Sequence, residues 1–191
     1  MRNVRCHPSL RCLILIIDKE FSEAGEVDKY EGGSMHLRNS EHFPTITASR
    51  VGGGEMTIPQ DLAGQWAVLL FYRGHWCPYC RQQLLDFQRA REQLNELGAE
   101  VVALSVDSLE QARQTVERHR ISFPVLYGLD AHQVEETIGA SINEDPLYLQ
   151  ATGFVLRPDG TVAVAVYSSS AIGRLVAADT VNFLKYLQKA P

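Results

Sequence analysis

The sequence predicts an α/β fold built on a mixed sheet, and three observations carry that reading. Residues 65–72 and 100–106 are near-continuous apolar runs, the pattern of strands buried on both faces. Helical periodicity follows each of them, an alternation that implies parallel pairing. The chain then closes with a hairpin and a last helix, which adds antiparallel strands.

The elements follow in order. Residues 43–49 and 55–58 flank Gly52-Gly53-Gly54 and read as an N-terminal β-hairpin. After the first buried strand, a helix over residues 78–97 places Leu84, Phe87, Leu94 and Leu97 at helical spacing, and Gly98 stops it. Beyond the second strand, Ser108 caps another helix, with Gln111 at the capping-box position and Leu109, Ala112 and Val116 facing inward. Phe123-Pro124-Val125-Leu126 leads to a short helix over residues 131–138, closed by Gly139, and then to an inserted piece. Residues 154–156 and 161–166 form a hairpin around Asp159-Gly160. A last helix over residues 177–189 buries Val181, Leu184 and Leu187.

At 191 residues the chain suits one domain with an extension. Residues 1–40, punctuated by Glu20, Glu23, Glu26, Asp28 and Glu31 and broken at Gly32-Gly33-Ser34, read as a flexible N-terminal extension, and residues 41–191 as the domain. A net charge of −5 argues against nucleic acid, which needs a dense Lys/Arg face. The apolar run at residues 13–17 is far short of the roughly twenty residues of a membrane span. Arg2, Arg5 and Arg11 precede it without a signal-peptide cleavage pattern, so a cytoplasmic location is expected. Of four cysteines, Cys6 and Cys12 are isolated, whereas Cys77 and Cys80 are close.

That pair lies in Arg73-Gly74-His75-Trp76-Cys77-Pro78-Tyr79-Cys80-Arg81. Random scatter of four cysteines gives some i, i+3 pair only about 6% of the time. Here the pair falls where a buried strand meets a helix, which makes chance a poor explanation. Pro78 suits the first helical position, which puts Cys77 at the N-cap, beside unpaired N–H groups and the positive end of the dipole. Lowering a thiol pKa from ~8.5 to ~7 takes about 2 kcal/mol, within reach of a helix N-terminus plus a cation. Arg73, His75 and Arg81 are the candidate cations. Trp76 and Tyr79 are the flanking aromatics. Cys80 heads the apolar stripe of the helix, so Cys77 is expected as the accessible attacker and Cys80 as the shielded resolver. A bare Cys-x-x-Cys offers only two metal ligands, so no metal is expected, and dithiol exchange requires no cofactor.

The segment resembles the thioredoxin superfamily, and within it the peroxiredoxin-like (AhpC/TSA) branch. Trp-Cys-x-x-Cys at a strand–helix turn is similar to thioredoxin. Ser105-Val106-Asp107-Ser108, Phe123-Pro124-Val125-Leu126 and Phe154-Val155-Leu156-Arg157-Pro158-Asp159-Gly160 resemble peroxiredoxins, and the likeness runs from about residue 41 to the end. It implies a thioredoxin-like fold, an antioxidant oxidoreductase activity, and a thiol, disulfide or peroxide as partner. Laid on the family pattern Pro-x-x-x-Thr-x-x-Cys, Cys80 takes the peroxidatic position, Cys77 the threonine and Arg73 the proline. The family's catalytic Arg is due just before Phe154, where Gln150-Ala151-Thr152-Gly153 has none. The leading expectation is therefore a thiol–disulfide oxidoreductase cycling Cys77 and Cys80, with Cys77 as nucleophile. The alternatives are a peroxidase with Cys80 peroxidatic and Cys77 resolving, and a redox-inert or metal-holding fold.

Overall fold

The computed structural model describes residues 36–189. Cys6, Cys12, the apolar run at residues 13–17 and most of the expected extension lie outside the described residues.

A seven-stranded sheet forms the centre, in the order β2-β1-β5-β4-β3-β8-β9. The strands are β1 (Ile46–Arg50), β2 (Glu55–Ile58), β3 (Trp66–Phe71), β4 (Ala99–Leu104), β5 (Val125–Tyr127), β8 (Thr152–Leu156) and β9 (Val162–Tyr167). β3, β4 and β5 run parallel, while the two hairpins attach antiparallel at opposite sides. This is the mixed α/β sheet that the alternation predicts.

Period-two alternation divides the core in two. Val68, Leu70 and Tyr72 face a layer formed by helices α1 (Pro78–Glu96), α2 (Leu109–His119) and α4 (Ala177–Lys189). Ala67, Leu69 and Phe71 face the opposite layer, with the N-terminal hairpin and α3 (Ala131–Ile138). β3 is buried on both sides because helices cover one face and α3 with the hairpin covers the other.

Several local readings take a different form. The inserted piece is a second, two-stranded sheet, β6 (Ile142–Glu144) and β7 (Leu147–Leu149), turning through a cis Asp145–Pro146 bond. Its strands are too short to carry a recognisable alternation. Ser108 and Gln111 form the full capping box, but Leu109 is exposed rather than inward. As the first helical residue it projects outside the buried stripe, which Ala112 and Thr115 fill. Leu187 is only half-buried, near the end of α4. Residues 36–40, assigned to the extension, are fastened to the sheet: Leu37 N–H donates to Tyr167 Oη at 2.8 Å, and Ser40 N–H to the Val162 carbonyl at 2.8 Å.

Candidate active site

β3 ends at Phe71, and the chain crosses residues 72–76 before α1 begins, so this loop sits at the carboxyl ends of the parallel strands. Cys77 is the N-cap, in an extended conformation, and Pro78 is the first helical residue. The Cys77 sulfur accepts the Cys80 N–H at 3.4 Å. Both sulfurs belong to the core cluster that includes Tyr72 and Leu84. Cys77 has 0% exposure and Cys80 1%, so the expected division into an accessible and a shielded thiol does not hold.

What separates the sulfurs is their environment. Burial pushes the Cys80 thiol up to about 11, and its hydrogen bond to Cys77 adds to the rise. Burial also works against a Cys77 thiolate, but the Cys80 thiol and N–H, with the charges of Arg174 and Arg73, outweigh it and bring Cys77 below the ordinary thiol range. Of the two thiols, Cys77 is therefore the more acidic and Cys80 the one that keeps its proton.

Cys80 nevertheless collects the donors. Its sulfur accepts the Arg73 N–H at 3.4 Å and Nη1 of Arg174 at 3.4 Å. Arg174 lies between β9 and α4, and no sequence motif marks it. It brings a guanidinium to the Cys80 sulfur, whereas residues 150–153 contain none.

Arg73 is held from two sides. Its guanidinium carbon is 5.0 Å from the Trp76 ring centroid and 4.9 Å from that of Tyr148, and Nη2 donates to Tyr148 Oη at 2.8 Å. Burial opposes its charge, yet the Tyr148 hydrogen bond and Cys77 raise its pKa overall. Trp76 packs edge-on against Tyr148 at 5.0 Å. Tyr148 belongs to the β6–β7 hairpin, so that piece forms one wall of the site.

His75 turns away to Asp107, which is 5% exposed, at the end of β4. Asp107 accepts the His75 N–H at 2.9 Å and lies 3.3 Å from Nδ1. The loop passes so close that a Cβ on Gly74, at φ +148°, would fall 2.7 Å from Trp76 Nε1 and 3.1 Å from Asp107 Oδ1. Tyr79 is half-exposed, with the Arg174 guanidinium 6.0 Å from its ring. Arg81 lies on the exposed side of α1, where its charge falls on His119. The structure therefore gathers Arg73, Trp76, Pro78 and Tyr79 at the thiols and sends His75 and Arg81 elsewhere. Sequence reading missed Arg174, Tyr148 and Asp107. Only Asp107 carried a signal, as a carboxylate just past the end of a parallel strand.

A cavity of about 200 Å³ borders this cluster, lined by Tyr79, Gln83, Ile172, Arg174, Leu175 and Val176. A larger one of about 390 Å³ lies between β1 and α3 and contains neither thiol. Among the described residues no group of three His, Cys, Asp or Glu side chains is arranged to hold a metal ion, and no helix is long and apolar enough to cross a membrane.

A model described as AhpC/TSA family matches residues 40–165. Curated relatives include a peroxiredoxin of Methanothermobacter thermautotrophicus, 28% identical over 70% of this chain and 66% of its own length. A peroxiredoxin of Treponema denticola is 27% identical with the same coverage, so the matched stretch spans just under two thirds of either relative. Among solved structures, the peroxidoxin BcpB of Mycobacterium tuberculosis superposes with a TM-score of 0.69 at 18% identity, over 81% of this chain and 100% of that one. The AhpC of Enterococcus faecalis gives 0.68 at 23% identity, over 80% and 93%. At such identities the superpositions establish the thioredoxin-like fold.

Proposed function

The chain belongs to the AhpC/TSA family, and from that premise we propose that it is a thiol-dependent peroxidase in which Cys80 attacks the peroxide and Cys77 resolves the product. The observation that carries this reading is the pair of donors on the Cys80 sulfur, the Arg73 N–H and the Arg174 guanidinium. Donors aimed at a reacting centre stabilise the charge that develops as the O–O bond breaks. Burial of both thiols favours a small oxidant over a protein disulfide, whose sulfur must approach in line.

The Cys77 thiolate accepts the proton of Cys80, a transfer against their resting order of acidity that the Arg73 N–H and the Arg174 guanidinium offset by holding the Cys80 thiolate. The Cys80 thiolate attacks one peroxide oxygen, giving a sulfenic acid and an alkoxide or hydroxide, which Arg174 stabilises and Cys77 reprotonates. The Cys77 thiolate then attacks the sulfenic sulfur, expels hydroxide and closes the Cys77–Cys80 disulfide. An external thiol, of low molecular weight or on a protein, restores the dithiol. The cytoplasm, rich in reduced thiols, is the compartment in which we expect the cycle to run.

The lowered pKa of Cys77 favours a second reading, in which Cys77 opens disulfides directly and Cys80 resolves. Turnover of a peroxide and of a protein disulfide by wild type, Cys77→Ser and Cys80→Ser separates the two. The peroxidase reading requires that Cys80→Ser abolish peroxide consumption while Cys77→Ser retains a first turnover. Loss of disulfide reduction in Cys77→Ser, with no peroxide turnover in wild type, would install the second reading.

A further inference from the structure

Arg174 can serve Cys80 only if the loop before α4 is held in register with α1. The next residue, Leu175, is buried against both the sheet and α1. Its carbonyl accepts Nε2 of Gln83 at 3.0 Å. Gln83 lies three residues beyond Cys80 on α1, hence on the same side of that helix, and is itself buried. The Leu175 side chain occupies the space over Gly153 in β8, where an added Cβ would lie 2.8 Å from Leu175 Cγ and Cδ1. Gly153 has an ordinary strand backbone, so what sets glycine there is room and not conformation.

We propose that Leu175, seated over Gly153 and tied to Gln83, is a latch that sets the Arg174 guanidinium on the Cys80 sulfur, with Gln83 and Leu175 as positioning residues. The inference rests on the peroxidase reading for its consequence to turnover, though not for its geometry. The latch joins α1, β8 and the β9–α4 loop at one point. A shift of Leu175 must carry Arg174 with it, because the two are adjacent in the chain.

The test uses Gly153→Ala, Gln83→Leu, Arg174→Met and the double variant Gly153→Ala/Leu175→Ala, read in two ways. Peroxide consumption should fall at least about tenfold in Gly153→Ala and in Gln83→Leu, toward the level of Arg174→Met. Leu175→Ala, assayed beside them, should be slowed as well because it removes the latch, and adding Gly153→Ala to it should cost little more, since the clash is gone. Titration of thiolate absorbance needs no turnover. It should show the first thiol pKa rising by about 1 unit in Gly153→Ala, Gln83→Leu and Arg174→Met alike, as a cation leaves the sulfurs. A rise in Arg174→Met alone, with the latch variants titrating like wild type, overturns the latch. If the titrations shift together but wild type consumes no peroxide, the latch stands and the peroxidase reading fails. Should Gly153→Ala not fold, Gln83→Leu decides by the same two readings.

Discussion

Nη1 of Arg174 stands 3.4 Å from the sulfur of Cys80, across 94 residues of sequence. The contact places a fixed positive charge beside a thiol that burial keeps protonated. Replacing Arg174 by Met should lower the second-order rate of peroxide consumption by about 10²–10³, the usual cost of removing one transition-state donor. Arg174→Lys should recover only part of the loss, because an ammonium keeps the charge without the planar fork. Stopped-flow peroxide consumption checks both, and wild-type rates in Arg174→Met would remove Arg174 from the chemistry.

The Cys80 N–H donates to the Cys77 sulfur within one helical turn, so a sulfenic acid on Cys80 has its resolver beside it. Wild type should therefore pass to the disulfide under excess peroxide with little sulfinic acid. Cys77→Ser should accumulate sulfenic and then sulfinic acid on Cys80. Mass spectrometry after trapping with a sulfenate reagent reads the difference. Equal over-oxidation of the two proteins would mean that Cys77 does not resolve.

The thiol of Cys80 moves from an ordinary 9.0 to about 11 in the folded protein. Its sign is that of a buried acid: the unfolded chain loses this proton first. The stabilisation is therefore complete below pH 9 and is lost as pH rises through 9 to 11. The two-unit rise corresponds to roughly 3 kcal/mol. Urea unfolding of the reduced protein should show wild type losing more stability over this window than the double variant Cys77→Ala/Cys80→Ala, which lacks both coupled thiols. Parallel curves would show that Cys80 ionises normally.

Asp107 holds the loop before Cys77 through the His75 N–H and ring. Truncating it strands a loop donor in a nearly dry site, which costs about 1–3 kcal/mol. Asp107→Ala should lower the urea midpoint accordingly, and Asp107→Asn, which keeps one acceptor, should lower it less. Equal midpoints for wild type and Asp107→Ala would remove the clamp from the account.

Tyr148 meets the thiol loop through its side chain: its phenol oxygen accepts Nη2 of Arg73 at 2.8 Å. Tyr148→Phe keeps both ring contacts and loses only that hydrogen bond, worth about 1 kcal/mol. The first thiol pKa should rise by a few tenths and Trp76 fluorescence should change little. A fluorescence change as large as that of Arg73→Ala would mean that the hydroxyl, and not the ring, holds the wall together.

Features that depend on neighbours in the chain could be read before the fold was known. Residues 65–72 and 100–106 declare doubly buried strands through near-continuous apolarity, Ser108 and Gln111 close their capping box within one turn, and Pro78 makes Cys77 an N-cap. The dithiol was legible because all its parts lie within eleven residues of strand, turn and helix. Local rules did not reach exposure: both thiols are buried in the core with Tyr72 and Leu84, which the sheet and helices form only together. Tertiary structure alone decided which cations serve them. Arg81, next to Cys80 in the chain, is turned by the helical period onto the outer face of α1. Arg174 and Tyr148 reach the site because β9 returns beside β8 and the β6–β7 hairpin stands over the strand ends. Such contacts join residues whose intervening chain carries no common period, so their side chains meet only when the sheet and its helices pack.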